Sequence, residues 1–327
     1  MTRKVIGFVS LLTVLLTVSS FSQISSLQVN GSSTTFTMTS GDSVWWSYHV
    51  SPVGATAQVQ IWYDVNANGT IEPGTDLLWQ AFSQTDGDTS GGNGPPDYDR
   101  TANGVTTLNK IPIGLAPGKY VMLFSQGAAN LTVTGTVNAL ASPAHTLSGT
   151  VTVPVGKSAA NIFVGVESSA KKDNGPGWWA LTNGSGNYQI AMGADTSGGP
   201  WRVHLGVNPY PPGIVTPPYQ FLYIVGNPSG LNISIVAAAA QIVGTVKDDL
   251  GAVIPGADVA ASNMYVGQAN SVQANASGFY QIGLTSAMLS GNTGFAVTAY
   301  FQQNQGMTTN RLDAMGVTGT ISNGDSV

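Results

Sequence analysis

The residues whose types and spacing most clearly suggest a chemical role lie in the stretch DVNANGTIEPGTD, residues 64–76. Oxygen-bearing side chains alternate along its first half and surround a glycine at position 69. Ca²⁺ prefers a flexible cage of oxygens, supplied by alternating residues around a sharp glycine turn. The spacing therefore predicts a calcium loop. Its candidate ligands are Asp64, Asn66, Asn68, Thr70 through its carbonyl, Glu72 and Asp76.

A second acidic stretch, TDGDTSGGNGPPDYDRTANG, follows closely in the sequence. Seven of the sixteen acidic residues fall between positions 64 and 99, and Arg100 is the one base beside them. Carboxylates at this density repel one another unless a cation lies among them. The second stretch is predicted either to complete the first calcium site or to form another. For both stretches the alternative is a solvated polar loop shaped by Asx turns. The candidate ligands here are Asp86, Asp88, Asp97 and Asp99.

The residues around the first loop decide between two kinds of calcium site. AQVQIWY before it is typical of a strand, and Pro73-Gly74 would disrupt a helix after it, which argues against a helix–loop–helix site. The stretch IWYDVNANGTIEPGTDLL resembles the D-x-N-x-D-G-x-x-D-x-G-E calcium loops in the β-domains of bacterial surface adhesins. The resemblance implies a calcium-stabilised β-domain, with Thr75 at a position where the pattern has an acid.

No catalytic grouping appears in the sequence. The three histidines, His49, His145 and His204, show no metal-ligand spacing, and no G-x-S-x-G motif occurs. Asp97 and Asp99 are close enough in sequence to suggest a glycosidase pair, but neighbours in one glycine-rich loop favour metal binding or solvation. We therefore expect a protein that is not an enzyme.

Adjacent tryptophans, Trp178 and Trp179, are the candidate ligand-binding residues. Neighbours on a strand point to opposite faces, so one ring of the pair is expected to be exposed. An exposed indole could stack on a sugar ring, and asparagines lie nearby in the sequence. The alternative is one core ring and one ring covered by a loop.

The composition predicts an all-β fold. Charged residues make up 8% of the 327-residue chain, against roughly 25% in typical globular proteins. Glycine, serine, threonine, asparagine and valine replace them, which favours strands joined by tight turns. Repeated alternation, as in SSTTFTMTSGDSVWWSYHV and TAQVQIWYDV, predicts half-buried strands. Between Asp64 and Gly104 we expect a long loop region.

The N-terminus predicts export. Residues 1–22 contain Arg3 and Lys4, an apolar run and then small residues, as in a secretory signal peptide. The run is short for a membrane-spanning helix, and no later stretch could span a membrane as a helix. Beyond these residues, nine Lys and Arg face sixteen Asp and Glu, a net charge of −7, which argues against nucleic-acid binding. A secreted or cell-surface protein is expected.

The chain divides into a β-sandwich at 24–140 and an internal repeat at 146–240 and 241–316. LSGTVTVPVG matches IVGTVKDDLG, and TNGSGNYQIAM matches ANASGFYQIGL. The glycine of NGSGNY is expected at positive φ in a hairpin turn. VTGTISNGDSV at 317–327 matches the opening strand of a further copy. It indicates either a fragment of a longer protein or a strand that pairs with another subunit.

The repeats resemble the carboxypeptidase regulatory-like domain, a transthyretin-like β-sandwich with Ig-like strand pairing. The resemblance rests on GTVKDDLGAVIPGADV and ANASGFYQIGL in the second copy, and on TNGSGNYQI in the first. It implies a non-catalytic accessory module, often found in tandem on exported proteins.

The predicted function is a structural or adhesive protein with a calcium-stabilised β-domain and glycan or extracellular matrix as partner. Two alternatives remain open. One is a carbohydrate-binding region of a longer secreted enzyme, and the other is a subunit of an extracellular assembly joined by strand exchange.

Overall fold

The chain folds almost entirely into β-strands, which make up 56% of the residues against 2% helix in the computed structural model. The all-β prediction is therefore confirmed. No described helix is long and apolar enough to cross a bilayer. The predicted signal peptide lies outside the described residues. The structure describes residues 23–89, 95–112, 114–168, 177–194, 200–206, 213–215, 217, 220–247, 251, 253–254, 257–263, 267–275, 277–289, 294–305 and 308–318.

The first unit, residues 23–138, is a sandwich of a three-stranded and a five-stranded sheet, ordered β1-β3-β6 and β2-β8-β7-β4-β5. Its strands are β1 (Gln23–Val29), β2 (Thr35–Thr39), β3 (Ser43–Ser51), β4 (Thr56–Tyr63), β5 (Leu77–Thr85), β6 (Val105–Pro112), β7 (Gly118–Gln126) and β8 (Ala129–Asn138).

Alternation along these strands produces the core of the first unit. Trp46 on β3 is 1% exposed, whereas Trp45 is half-buried. The Trp46 ring meets Phe82 of the opposite sheet at 5.9 Å and Phe124 at 5.6 Å between centroids. The sequence predicted a long loop between Asp64 and Gly104, and this was wrong in part, because β5 lies inside it.

The second unit, residues 145–237, follows a short and mostly exposed linker, and the third unit, residues 240–318, follows the second directly. The second contains β9 (His145–Thr152), β10 (Phe163–Ser168), β11 (Trp178–Leu181), β12 (Asn187–Met192), β13 (Trp201–Leu205), β14 (Ile214–Val215), β15 (Gln220–Leu222), β16 (Ile233–Ser234) and β17 (Val236–Ala237). The third contains β18 (Ala240–Thr245), β19 (Asp258–Asn263), β20 (Gly267–Gln273), β21 (Phe279–Leu284), α1 (Ser286–Leu289), β22 (Ala296–Gln305) and β23 (Thr308–Val317).

The second and third units share a set of strand pairings, as an internal repeat requires. The second unit has one sheet ordered β11-β10-β13-β15 and another that pairs β12 with β9. The third unit has equivalent pairings in β20-β19-β22-β23 and β18–β21, but among the described residues it lacks a counterpart of β16, which extends the β12–β9 pair, and of the β14–β17 pair. Each unit encloses its own cluster of buried apolar side chains.

The repeated glycines have a geometric cause. Gly186 and Gly278 hold φ at 78° and 71°, which confirms the hairpin prediction for NGSGNY in the first copy. In each repeat another glycine lies opposite a tyrosine. A Cβ at Gly149 would lie 2.8 Å from the Tyr188 hydroxyl, and a Cβ at Gly244 would lie 2.5 Å from that of Tyr280. The G-T-V and G-x-Y motifs are therefore two halves of one cross-strand contact.

The strand predicted to begin at Val317 does not begin there in the structure. Val317 was predicted to open a further copy, but it is the last residue of β23, and β23 pairs with β22 along its whole length. Thr318 still belongs to the third unit, because its N–H donates to Phe295. Residues 319–327, and with them the predicted assembly strand, lie outside the described residues.

Candidate functional site

The first acidic loop, residues 64–76, joins β4 to β5 and is closed by its own hydrogen bonds. Asp64 is 4% exposed, and its two carboxylate oxygens accept N–H bonds from Asn68 at 3.1 Å and Gly69 at 2.7 Å. Asp76 is 5% exposed and accepts from Val65 at 3.0 Å and Glu72 at 2.8 Å. Each buried carboxylate therefore fixes the loop backbone through both oxygens.

The exposed half of the same loop carries a second layer of contacts. The Glu72 carboxylate accepts from the Asn66 side-chain amide at 2.7 Å and from that of Asn68 at 3.0 Å. The side-chain carbonyl oxygen of Asn68 accepts hydrogen bonds from the backbone N–H and the hydroxyl of Thr70. Left-handed backbone at Ala67 and Gly69 gives the loop its tight turn. The six predicted ligands are thus brought together, but the pattern also provides a donor for each carboxylate oxygen.

The N–H groups already bound to these carboxylates limit how a metal ion could bind the loop. Among the described residues, no three acidic or histidine side chains form a group that could hold a metal ion. Each oxygen of Asp64 and Asp76 keeps a second lone pair beyond its amide bond. A cation at this loop would therefore use those lone pairs, the exposed Glu72 and Asn66 side chains, and water.

The second acidic region lies at the other end of the first unit. Strands β4 and β5 pair from Tyr63 with Leu77 at one end to Thr56 with Thr85 at the other. Seven residue steps at about 3.3 Å each separate the two ends by roughly 23 Å. The first stretch joins β4 to β5 at one end of this hairpin, and the second stretch follows β5 at the other end. The prediction that the second stretch completes the first site is therefore wrong.

At that far end, Asp86 and Asp97 bind loop backbone. Asp86 accepts N–H bonds from Gly54 at 2.7 Å and Gly104 at 2.8 Å through one oxygen. Asp97 is fully buried and accepts from Gly87 and from the amide and hydroxyl of Thr107, all at 2.9 Å. Burial raises the pKa of Asp97, although these three hydrogen bonds act in the opposite direction.

Asp88 and Asp99 are the remaining predicted ligands of this region. Asp99 is exposed and accepts from the Thr101 N–H at 2.9 Å and the Asn103 side-chain amide at 3.0 Å. The Asp88 carbonyl accepts the Asp97 N–H at 3.0 Å. These contacts join residues within one loop, and whether a cation also binds there stays a prediction.

Sequence reasoning missed a buried glutamine that ties this loop to the core. Gln84 is 1% exposed, and its side-chain carbonyl accepts from the Trp46 indole at 2.9 Å and the Tyr48 hydroxyl at 3.2 Å. Its amide donates to backbone carbonyls of Thr107 at 3.0 Å and Pro96 at 3.3 Å. The available signal was its inward position on a strand, two residues after buried Phe82.

Both predicted ligand-binding tryptophans are buried, and the expectation of one exposed ring is wrong. Trp178 is 3% exposed and packs in the second unit's core, 5.4 Å from Trp201 between ring centroids. Trp179 points to the opposite face and is 5% exposed. Alternation does hold, but the first unit covers the outward ring. Neither ring face is open for stacking on a sugar.

The first and second units meet at a cluster of aromatic side chains, which we call the aromatic joint. Trp79 of the first unit meets Trp179 at 4.5 Å and Phe163 at 5.0 Å between centroids, and Tyr63 meets Phe163 at 5.8 Å. All three contacts are edge-to-face, the geometry that aromatic quadrupoles favour. The joint comprises Tyr63, Leu77, Trp79 and Ala116 of the first unit, with Phe163, Trp179 and Leu181 of the second.

Glycines of both units make room for the Trp179 ring. A Cβ would lie 2.5 Å from the ring if placed at Gly114, 2.6 Å at Gly165 and 3.1 Å at Gly206. Gly114 belongs to the first unit and the other two to the second, so the ring lies in a slot built by both. Tyr63 and Leu77 also flank the first acidic loop directly in sequence, which places that loop beside the joint.

Comparisons with known proteins supply no family. No protein-family model matches the chain, and no curated protein matches it. Similar solved structures include the Bacillus anthracis TIE protein, at 12% identity over 93% of this chain and 56% of that chain, with a TM-score of 0.23. This chain thus spans little more than half the length of that protein. The regulatory-like and calcium-loop resemblances remain predictions.

Two further solved structures are similar at the same level. One is a tetra-tandem repeat from the extending region of a large adhesion protein, at 14% identity over 91% of this chain and 74% of that chain, with a TM-score of 0.22. The other is a Ca²⁺-stabilised adhesin with which an Antarctic bacterium binds ice, at 11% identity over 94% and 75%, with a TM-score of 0.19. Structures with TM-scores this low do not establish a function for this chain.

Proposed function

We propose that the chain is a non-catalytic structural module of an exported protein, in which successive β-units are held end to end as a stiff body that supports adhesion or spacing at the cell surface. The aromatic joint is the observation that carries the proposal. A flexible linker would leave Phe163, Trp79 and Trp179 in water, whereas here rings from both units bury one another.

The junction between the second and third units supports the same proposal by a different contact. Strand β14 lies at this junction, where it pairs with β17 of the same unit and Gly213 accepts the N–H of Ala238 at 2.9 Å. The Ile214 carbonyl approaches β21 so closely that a Cβ at Gly283 would lie 2.1 Å from it. Backbone from the second unit therefore packs directly on the third.

Calcium belongs to the proposal as a stabiliser of the loop at residues 64–76. The support is the set of uncommitted lone pairs on Asp64 and Asp76, with Glu72 and Asn66 exposed beside them. A cation bound there would stabilise the folded first unit by mass action, since the unfolded chain lacks the site. Because this loop directly follows Tyr63 and precedes Leu77, such binding would also stiffen the first unit's side of the joint.

The calcium part is tested by calorimetric titration of the full chain with CaCl₂. Asp64→Ala is a poor control, because it removes two backbone hydrogen bonds that close the loop. Glu72→Gln is the better variant, since it removes an exposed charge and keeps the size of the side chain. Heat of binding in the wild type that weakens in Glu72→Gln supports the proposal. No binding to the wild type rejects calcium and leaves a self-sufficient turn.

The structural part is tested by small-angle X-ray scattering of the full chain. A stiff body predicts one scattering profile that a single arrangement of the first two units reproduces. Trp79→Ala should broaden the pair-distance distribution by releasing the joint. A wild-type profile that requires freely hinged units would overturn the proposal.

Carbohydrate binding remains a second candidate function, at residues other than those predicted. Phe221 and Tyr223 alternate along an extended segment and are 61% and 71% exposed. Residues two positions apart in an extended segment point to the same side, so these two exposed rings could both stack on a sugar. Retardation of the chain in gels that contain soluble polysaccharides, lost in Phe221→Ala, would support this function. No retardation by any polysaccharide tested would reject it.

A further inference from the structure

The first unit presents a second surface, apart from the aromatic joint, on the outer face of its five-stranded sheet. Successive residues of a strand point to opposite faces, so every second residue of these strands points away from the core. Strand pairing brings the outward residues side by side, as with Gln58 beside Ser125 and Thr37 beside Thr136. The outward residues of β2, β8, β7, β4 and residues 81–85 of β5 form what we call the polar face.

The polar face carries almost no charge. The eight strands of the first unit contain no Asp or Glu, because every acidic residue of this unit lies in a turn or loop. Lys119 is the one charged residue among the described residues of the face, and it donates to the Thr136 hydroxyl at 2.7 Å. Threonine, serine and glutamine fill most of the other outward positions. Hydroxyls and amides on a chain of net charge −5 suit a neutral ligand better than an acidic polymer.

Side chains along β4 are held in place by one another. The Gln58 side-chain amide donates to the Ser83 hydroxyl at 2.9 Å, and the Trp62 indole donates to the Gln60 side-chain carbonyl at 2.9 Å. Polar groups that are already ordered lose less conformational freedom when a ligand binds. The outward residues of β4 therefore form a preorganised row.

The contact with Trp62 fixes which end of the Gln60 side chain remains available. An indole N–H can only donate, so the Gln60 carbonyl oxygen must be the acceptor. The NH₂ group of Gln60 keeps two donors, and no contact among the described residues uses them. A sugar hydroxyl is a suitable partner, because its oxygen accepts hydrogen bonds without carrying a charge.

Trp62 adds an apolar surface to this row. Val121 lies beside it on β7 at an outward position and is 1% exposed, although it belongs to none of the buried core clusters. The half-buried indole is the largest side chain paired with Val121, so we place the ring across the sheet and over this valine. Its outer face is then open to the C–H groups of a sugar, which pack against the negative face of an aromatic ring.

The dimensions of the face suit a polymer. The row begins at Thr56, whose hydroxyl lies 2.7 Å from that of Thr85, and ends at Trp62. Six residue steps of about 3.3 Å make the row roughly 20 Å long. Five strands spaced about 4.8 Å apart make the face roughly 19 Å wide. An extended chain of several sugar units therefore fits along β4.

We propose that the polar face binds a neutral polysaccharide, which runs along β4 with its hydroxyls bonded to Gln58 and Gln60 and one sugar ring stacked on Trp62. The inference goes beyond the stiff body and stands without it, because every residue of the face belongs to the first unit. The site is also separate from Phe221 and Tyr223, which belong to the second unit.

Affinity electrophoresis of the full chain tests the site. Native gels contain hydroxyethylcellulose, galactomannan or dextran as neutral probes, or alginate as the anionic probe. The expected result is retardation by at least one neutral probe and none by alginate. Absence of retardation by all three neutral probes overturns the proposal. Retardation by alginate that equals or exceeds that by the neutral probes also overturns it.

Matched variants assign the binding to this face. Trp62→Ala should weaken the apparent Kd roughly tenfold, as expected when an aromatic anchor is truncated. Trp45→Ala is the matched control, because Trp45 is also half-buried but lies on β3 of the opposite sheet, and retardation should persist. Phe221→Ala should keep it as well. Retardation that persists in Trp62→Ala and is lost in either control places binding elsewhere and overturns the proposal.

A second variant keeps the test decisive if Trp62→Ala does not fold, as judged by circular dichroism. Gln60→Ala removes the available NH₂ group and should weaken retardation while the spectrum stays that of the wild type. Undiminished retardation in this variant overturns the proposal. Sedimentation velocity covers the other occupant of such a face: a wild-type dimer that Trp62→Ala dissociates, without retardation by any neutral probe, shows an interface between copies of the chain instead.

Discussion

Replacing Trp79 by alanine should uncouple the first unit from the second. Trp79 is half-buried on β5, and its ring makes two edge-to-face contacts with the second unit, to Trp179 and Phe163. Each aromatic pair contributes about 0.5–1.5 kcal/mol beyond area burial. Truncation of a core Trp to Ala costs about 3–5 kcal/mol. Because this ring is only half-buried, we take the lower limit, about 3 kcal/mol.

That loss is large enough to see by differential scanning calorimetry. For a cooperative body of 150–250 residues, about 1 kcal/mol shifts Tm by roughly 2–4 °C. The first two units should therefore lose about 6–12 °C if they still melt together, or separate into two transitions. The expected result is a single shared transition in the wild type that divides in Trp79→Ala.

A matched substitution distinguishes the joint from ordinary core loss. Trp62 lies on the neighbouring strand, is also half-buried, and donates its indole N–H to Gln60 at 2.9 Å outside the joint. Trp62→Ala should lower Tm without dividing the transition. If both variants give the same melting profile, or if the wild type already melts in two steps, the reasoning about the joint is refuted.

Three further changes test other parts of the structure. Glu167→Gln should flatten the acid dependence of stability: the lowered pKa of Glu167 gives stability that is present above its unfolded pKa and is lost as pH falls through its folded value, which pH-dependent urea unfolding measures, and an unchanged slope below pH 5 would contradict this. Asp86→Asn replaces an acceptor of the Gly54 and Gly104 amides and should cost about 1–3 kcal/mol in chemical denaturation, whereas the exposed control Asp99→Asn should cost less. Gly149→Ala would place a Cβ 2.1 Å from the Leu231 carbonyl and should destabilise the second unit by about 1–3 kcal/mol, while Gly184→Ala, with open space around it, should be nearly neutral in the same thermal melt.

Local patterns in the sequence predicted much of the fold. Strands such as Ser43–Ser51 and Thr56–Tyr63 follow from strict alternation of apolar and polar residues. The paired repeat followed from matching G-T-V and G-x-Y motifs, and the structure shows their glycines and tyrosines in contact. Strand β5 was missed because its acidic flanks suggested one continuous loop.

Local patterns did not predict contacts between residues that are far apart in the sequence. Trp79 and Trp179 are a hundred positions apart, and nothing local to either residue indicates that they meet. The alternation rule correctly put the rings of Trp178 and Trp179 on opposite faces, but it could not show which ring faces outward or that the first unit covers it. The same limit applied to the two acidic stretches, which are close in sequence and lie at opposite ends of the β4–β5 hairpin.

The buried carboxylates show why the sequence alone does not predict metal binding. Asp64 and Asp76 have the spacing of metal ligands, and the same spacing lets each accept two loop amides. Oxygen positions alone do not distinguish a cation from N–H donors, because both are attracted to the same lone pairs. Metal binding at residues 64–76 is therefore a question for titration.

Residual dipolar couplings of backbone amides in the full chain test the central claim most directly, because they report the relative orientation of the first and second units. The aromatic joint predicts that one alignment tensor fits the amides of β3, β4 and β7 together with those of β9, β10 and β12. Two tensors of clearly different magnitude would show that the units reorient independently, and the joint would then not hold them as one body.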